Sequence, residues 1–227
     1  MIPLKDDNPI SSRPIVTYFL IGMCVVVFLM QLGSQSYRTG QLFYSYGLIP
    51  SVLMGHDQLP MDLYAVPAYL TIFSSMFMHG GWIHLIGNMW YMKIFADNIE
   101  DNLGSRNFII FYILCGIGAA MAQVLMDTHS QVPMVGASGA IGGVLGAYLI
   151  NHPNARVLVL IPYIIITIIK IRALYVLGFW FILQFISSGG GVAYAAHIGG
   201  FVSGMVLILF FNKKVRRKTK VIKGPWS

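Results

Sequence analysis

Ser138 stands in the run Gly136-Ala137-Ser138-Gly139-Ala140-Ile141-Gly142-Gly143, one hydroxyl among residues with almost no side chain. A serine hydroxyl is a weak nucleophile until a base lies within hydrogen-bond reach. His197, in Ala196-His197-Ile198-Gly199-Gly200, could supply that base. His84 and Asn88 are four residues apart, so a helix would present both on one face. There they could donate to a developing oxyanion together with the backbone N–H of Ser138. No Asp or Glu falls in an apolar stretch near these positions, so the sequence offers a Ser–His dyad with no third member to orient the imidazole. The plainer reading of a serine in such a run is a hydroxyl bonded back to its own helix. The topology decides between the two.

Composition sets the environment. Of the 227 residues 56% are hydrophobic and only 10% charged, against about 25% charged in a soluble domain. The chain is therefore read as an integral membrane protein. The net charge of +7 does not indicate nucleic acid, because seven of the fifteen Lys and Arg crowd between Lys213 and Lys223, after the last apolar run. Such a tail is a stop-transfer and cytoplasmic retention signal facing anionic headgroups. Cys24 and Cys115 both lie in apolar runs, which suggests neither a disulfide nor a metal site.

Six spans are predicted. After a polar arm, residues 1–13, the first covers Pro14–Leu32, read as a retained signal-anchor because no A-x-A cleavage site follows it. An aromatic, half-apolar connection then runs to Pro67 and suits either the headgroup region or an ordinary loop. The second span runs from Trp82 to Phe95, ahead of Asp97, Glu100 and Asp101, and the third from Phe108 to Met126. The fourth runs from Ser138 to Ile150, the fifth from Ala173 to Ile186, and the sixth from Val192 to Phe211 after a glycine turn at 187–191. Residues 156–171 are apolar but interrupted by Pro162, and are read as an interfacial or re-entrant piece. The fold class is thus all-α, a polytopic six-helix bundle over 14–211 with a basic tail at 212–227.

Six spans put both termini on one side with fourteen of the fifteen Lys and Arg, leaving Arg38 alone opposite. The positive-inside rule makes that side cytoplasmic. Spans two, four and six then start at one depth, which brings His84, Asn88, Ser138 and His197 to a single level below the outer surface. Four glycines in eight residues would each cost about 1 kcal/mol relative to Ala in a water-exposed helix. In a bilayer they let backbones touch. Gly139-xxx-Gly143 and Gly142-xxx-Gly146 face a matching edge of Ala196, Gly200 and Gly204, and that contact would carry His197 to Ser138. From Ser138 to Ile150 is only about 20 Å of helix, so the fourth span must begin beneath the surface, where irregular backbone has to line a wet cavity or be buried in protein.

With these motifs in place, His79-Gly80-Gly81-Trp82-Ile83-His84-Leu85-Ile86-Gly87-Asn88, Gly136-Ala137-Ser138-Gly139 and Ala196-His197-Ile198-Gly199-Gly200 continuing to Gly204, the chain resembles the rhomboid intramembrane serine proteases over nearly its whole length. The form resembled is the basic six-helix bacterial and archaeal one. The resemblance implies a serine endopeptidase in a prokaryotic plasma membrane that cleaves transmembrane protein substrates within the lipid bilayer, with no metal or other cofactor. It makes Ser138 the nucleophile, His197 the general base, and His84, Asn88 and the Ser138 N–H the oxyanion donors. Two positions depart from the family's best-known bacterial members. Leu70-Thr71 replaces a Trp-Arg pair that anchors the first loop, and Gly142 replaces an aromatic ring against which the catalytic imidazole packs.

Other readings fare worse. His79 and His84 are five apart and have no carboxylate beside them, which does not suit a metal site. A proton-coupled transporter would carry an intramembrane acid. A catalytically inactive relative that binds transmembrane segments usually lacks the Ser or the His, and both are here. His56, His129 and His152 are read as ordinary solvated loop residues.

Overall fold

A computed structural model describes residues 1–34, 36–162, 166–186 and 193–211. The basic tail at 212–227 and the glycine turn expected at 187–191 lie outside the described residues.

The helical bundle expected from the sequence is present. Helix α1 is Ile15–Gly33, followed by α2 (Ser36–Tyr46) and the single turn α3 (Pro50–Leu53) in the long connection. A further turn, α4 (Thr71–Ser74), leads to α5 (Trp82–Leu103) and α6 (Ser105–Met126). The remaining helices are α7 (Ser138–Asn151), α8 (Ala173–Ile186) and α9 (Tyr194–Phe211). Among the described residues three helices, α1, α6 and α9, are long and apolar enough to cross a membrane. The other expected spans differ from these in kind. Helix α5 is 22 residues long but carries Lys93, Asp97, Glu100 and Asp101, while α7 and α8 have 14 residues each.

α7 sits at the centre, with every residue from Gly139 to Tyr148 buried. Its glycines meet those of α9 backbone to backbone. A Cβ on Gly200 would overlap the carbonyl of Gly139, and one on Gly204 the carbonyl of Gly143. The small-residue edges read from the sequence are therefore the contact that sets the two helices side by side.

Charged groups tie the opposite end of the bundle. Gly104 has φ 75°, a left-handed conformation that suits glycine, and turns α5 directly into α6. Just before it, the buried carboxylate of Glu100 accepts from the backbone N–H of Val16 at 2.9 Å and of Thr17 at 2.8 Å. It also accepts from the hydroxyls of Thr17 and Ser105. An acid there satisfies orphan donors of the first turn of α1 and complements its dipole.

The chain adds a three-stranded antiparallel sheet to the bundle, which the sequence reading did not contain. β1 (Ile2–Asp6) pairs with β2 (Arg156–Pro162), and β2 with β3 (Ile166–Arg172). The apolar stretch expected at 156–171 thus supplies two paired strands, Arg156–Pro162 and Ile166–Arg172, and not helix. Burial alternates along β2: Val157 and Val159 are fully buried while Arg156, Leu158 and Leu160 turn outward. The N-terminal arm supplies the third strand. His152, expected to be solvated, belongs to a polar network beneath this sheet. Its ring nitrogens meet Asn8 at 3.2 Å and Asn102 at 2.6 Å. Asp6 accepts from Tyr148 and Asn98 in the same network. His56 and His129 are exposed, as expected, but stacked on each other with centroids 4.1 Å apart.

Candidate active site

The loop entering α7 is held from below and from the side. Leu48 and Met134 form an isolated antiparallel bridge, and the N–H of Gly136 donates to the carbonyl of Ser75 at 2.8 Å. Ser74 donates its hydroxyl to Tyr46 and the N–H of Ser51 donates to Ser130. These bonds anchor the first loop, which has Leu70-Thr71 where a Trp-Arg pair was the expected anchor. Gly136 has φ 127°, and a Cβ there would lie 2.7 Å from Nε2 of His84. Glycine is needed on both counts. Ser138 then opens α7.

All four residues named from the sequence line one cavity of about 880 Å³, with Gly136 and Trp180 among its other walls. Ser138 Oγ lies 2.8 Å from Nε2 of His197. On the far side of the ring, Nδ1 lies 2.8 Å from Oε1 of Gln184. Gln184 donates its own Nε2 to the carbonyl of Trp180 at 2.7 Å, so its oxygen is the atom that faces the imidazole. The network closes one way: Nδ1 carries the proton, and Nε2 is left to accept from the serine hydroxyl.

The expectation that nothing orients the imidazole is therefore corrected. The orienting group is an amide, not the acid whose absence the sequence shows. The available signal was a lone amide in the otherwise apolar α8, since a polar side chain inside a membrane helix marks function. Trp180 completes the support. Its ring centroid is 5.8 Å from that of His197 with the planes 34° apart. A Cβ at Gly142 would lie 3.0 Å from the His197 carbonyl oxygen and 3.7 Å from the Trp180 ring. Gly142 thus lets α9 and the indole close in, and the ring packing comes from α8 instead of α7.

His84 and Asn88 face the same space from α5. The N–H of Gly80 donates to Nδ1 of His84 at 3.3 Å, which leaves Nε2 of the neutral ring as the donor pointing over Gly136. The Nδ2 of Asn88 is buried and has no hydrogen-bond partner among the described residues. His79 lies edge-on to His84 with centroids 5.2 Å apart. It is fixed by Gln31, which accepts from the His79 N–H and donates to its carbonyl. The assembly offers a hydroxyl with an accepting nitrogen beside it and free N–H donors across a cavity.

The model of the Rhomboid domain matches residues 67–214, a stretch that holds all four residues and Gln184. The chain belongs to the rhomboid family. It is similar to the rhomboid protease GluP of Bacillus subtilis, with 28% identity over 86% of this chain and 34% of that protein. It also resembles the putative rhomboid protease YdcA of the same organism, at 31% identity over 64% of this chain and 69% of that one. A third relative is rhomboid-like protease 3 of Toxoplasma gondii, at 25% over 63% of this chain and 52% of that protein. The chain spans about half or less of the length of most of the curated relatives it matches. Family and apolar helices together make it an integral membrane protein. Within this rhomboid domain the β1–β2–β3 sheet joins residues that precede the matched stretch to residues inside it.

Proposed function

We propose that the chain is an intramembrane serine endopeptidase that hydrolyses peptide bonds in or near transmembrane segments of membrane proteins, by a Ser138–His197 dyad and without metal or other cofactor. The observation that carries this reading is the 2.8 Å approach of Ser138 Oγ to Nε2 of His197, with the opposite ring nitrogen engaged by Gln184. The names of the relatives, which include rhomboid proteases, agree with it. The orientation follows the charge distribution, with both termini cytoplasmic and the cavity toward the other side of a prokaryotic plasma membrane.

In this mechanism Nε2 of His197 takes the hydroxyl proton as Oγ attacks the scissile carbonyl carbon. The carbonyl oxygen becomes an oxyanion, met by the N–H of His84, the amide of Asn88 and the backbone N–H of Ser138. His197 returns the proton to the leaving nitrogen as the C–N bond breaks, leaving an ester on Ser138. Water, activated by the same imidazole, hydrolyses the ester and restores the hydroxyl. Gln184 touches no reacting atom and acts as a positioning residue by holding the Nδ1–H tautomer.

The test is labelling of the purified protein by a fluorophosphonate, with cleavage of a model transmembrane substrate measured alongside. Labelling and cleavage are expected for the native chain, and neither for Ser138→Ala, which should accumulate in the membrane normally because it loses only one hydroxyl. Cleavage by Ser138→Ala at the native rate would overturn the nucleophile. Substrate binding without labelling or cleavage by the native chain would make it a non-catalytic binder of transmembrane segments.

A further inference from the structure

The three-stranded sheet plays no part in proteolysis as described, yet its register sorts its side chains by chemistry. Pro3, Val157 and Val159 turn inward and are buried against the bundle. The outward face forms three cross-strand rows. Arg156 pairs with Arg172, the next row is Lys5, Leu158 and Lys170, and the third is Ile2, Leu160 and Ile168. All four cations are exposed, as are Ile2 and Ile168.

Hydrogen bonds to α5 give these rows a direction along the bundle. Ser11 and Ser12 hold Asp101, Asp6 accepts from Asn98, and the carbonyl of Pro3 accepts from Nε1 of Trp90 at 2.6 Å. The arm therefore lies along the flank of α5. From Asn98 to Trp90 is about 12 Å of helix. The arginine row lies at the end of the bundle marked by Asp101, and the isoleucine row lies further in, toward the middle of α5. β3 continues straight into α8, where Leu174 and Tyr175 are exposed, and Tyr18 is exposed in the first turn of α1. Exposed tyrosines at helix ends beside an apolar surface mark a membrane–water boundary.

The cations on this face oppose one another. Arg156 faces Arg172 directly, and like charges directly opposite destabilise a sheet. The acid beside them, Asp7, uses its carboxylate on the backbone N–H of Arg156 at 2.7 Å. Fold stability does not account for the arrangement, whereas an anion over the face would. A soluble anion would have no use for the adjoining row of Ile2, Leu160 and Ile168, which continues the same face toward the bilayer interior. A phospholipid uses both, with its phosphate at the cationic rows and its glycerol and acyl carbons at the apolar one.

We propose that the outward face of this sheet is a docking surface for anionic phospholipid, with Lys5, Arg156, Lys170 and Arg172 holding the headgroup and Ile2, Leu160 and Ile168 the start of the chains. The basic side chains that set the orientation in the sequence are here gathered into one folded surface. The surface is independent of the proteolytic reading, and its test needs no activity.

The full chain is placed in nanodiscs of phosphatidylcholine alone, or with one third phosphatidylglycerol, and its thermal midpoint is measured in each. Phosphatidylglycerol retained after detergent extraction is counted by native mass spectrometry. Two neutralised forms are compared with the native chain. One carries Lys5→Gln, Arg156→Gln, Lys170→Gln and Arg172→Gln, and the other replaces the seven basic residues between Lys213 and Lys223 by Gln. The native chain should gain stability from phosphatidylglycerol. The sheet form should lose that gain and bind the lipid about tenfold more weakly or worse, while keeping its midpoint in phosphatidylcholine because opposed like charges are gone. The tail form should keep the gain. A sheet form that retains the full gain and the bound lipid, or a tail form that loses both, overturns the proposal. So does a sheet form that falls apart in phosphatidylcholine while the double variants Lys5→Gln/Lys170→Gln and Arg156→Gln/Arg172→Gln bind phosphatidylglycerol normally.

Discussion

Oε1 of Gln184 lies 2.8 Å from Nδ1 of His197, an amide in the place where soluble serine proteases put a carboxylate. An amide oxygen fixes the tautomer without placing a charge in an apolar setting. Gln184→Met keeps the length and removes the acceptor. One hydrogen bond is worth about 1 kcal/mol, so kcat should fall by about fivefold with KM unchanged. Fluorophosphonate labelling should slow in parallel. The readout that a purely structural role would not move is the tautomer: nitrogen NMR of histidine-labelled protein should show Nδ1–H at His197 in the native chain and a mixture in Gln184→Met. A variant that keeps kcat, or keeps the single tautomer, would show that Gln184 does not position the ring.

Asn88 presents a buried Nδ2 with no partner among the described residues, which is the state of a donor held ready for a charge that forms only during reaction. Loss of one oxyanion donor costs about 10²–10³ in turnover. With His84 and the Ser138 N–H still present, Asn88→Ala should fall at the lower end of that range and leave measurable cleavage. Steady-state kinetics should show the loss in kcat and not in KM. A raised KM with native kcat would make Asn88 a docking residue.

The parts of this architecture legible in the sequence were those carried by composition or by fixed spacing. The i, i+4 pair His84 and Asn88, the glycine edges of α7 and α9, and the Ser138 and His197 motifs all survive into three dimensions, because small residues and motif positions admit few packings. The sheet was missed because a run such as Arg156 to Ile171, almost all apolar on both faces, masks the period of two that would have marked it. Gln184 and Trp180 were missed for another reason. Gln184 is marked only as a lone amide in α8, and that it and Trp180 meet His197 depends on how α8 is rotated against α9.

Gly200 meets Gly139 with no room between their backbones. Gly200→Ala adds a Cβ that can be accommodated only by separating α7 from α9. Overpacking of this kind costs about 1–3 kcal/mol, and the separation also lengthens the Ser138–His197 contact. Both the thermal midpoint and kcat should drop together. Gly22→Ala serves as the control, since a Cβ there meets nothing within 4 Å. Equal behaviour of the two variants would show that the α7–α9 contact is looser than described.

Glu100 is the single acceptor for two backbone donors and two hydroxyls at the junction of α1, α5 and α6. Glu100→Ala leaves these donors buried and unpaired, at a cost of about 1–3 kcal/mol for each group that water cannot reach. The thermal midpoint should fall markedly, with Glu100→Gln intermediate because it keeps one acceptor oxygen. The residual folded protein should still label with fluorophosphonate, because Glu100 lies at the end of α5 away from the cavity. Loss of labelling per folded molecule would mean that the junction reaches the cavity after all.

Asp6 sits under the sheet, where burial raises its carboxyl above the ordinary value, despite the hydrogen bond donated by Tyr148. A carboxyl raised on folding holds its proton in the folded state at a pH where the unfolded chain has released it. Stability then decreases as pH rises from the unfolded value, near 3.8, to the raised folded one, and is flat above it. Asp6→Asn cannot ionise and keeps an acceptor for Tyr148. Thermal midpoints of the two forms in detergent should therefore diverge as pH climbs through that window, with the native chain losing ground to Asp6→Asn. The reverse slope, a native chain that gains on Asp6→Asn as pH rises, would mean that Tyr148 and Asn98 stabilise the carboxylate more than burial opposes it.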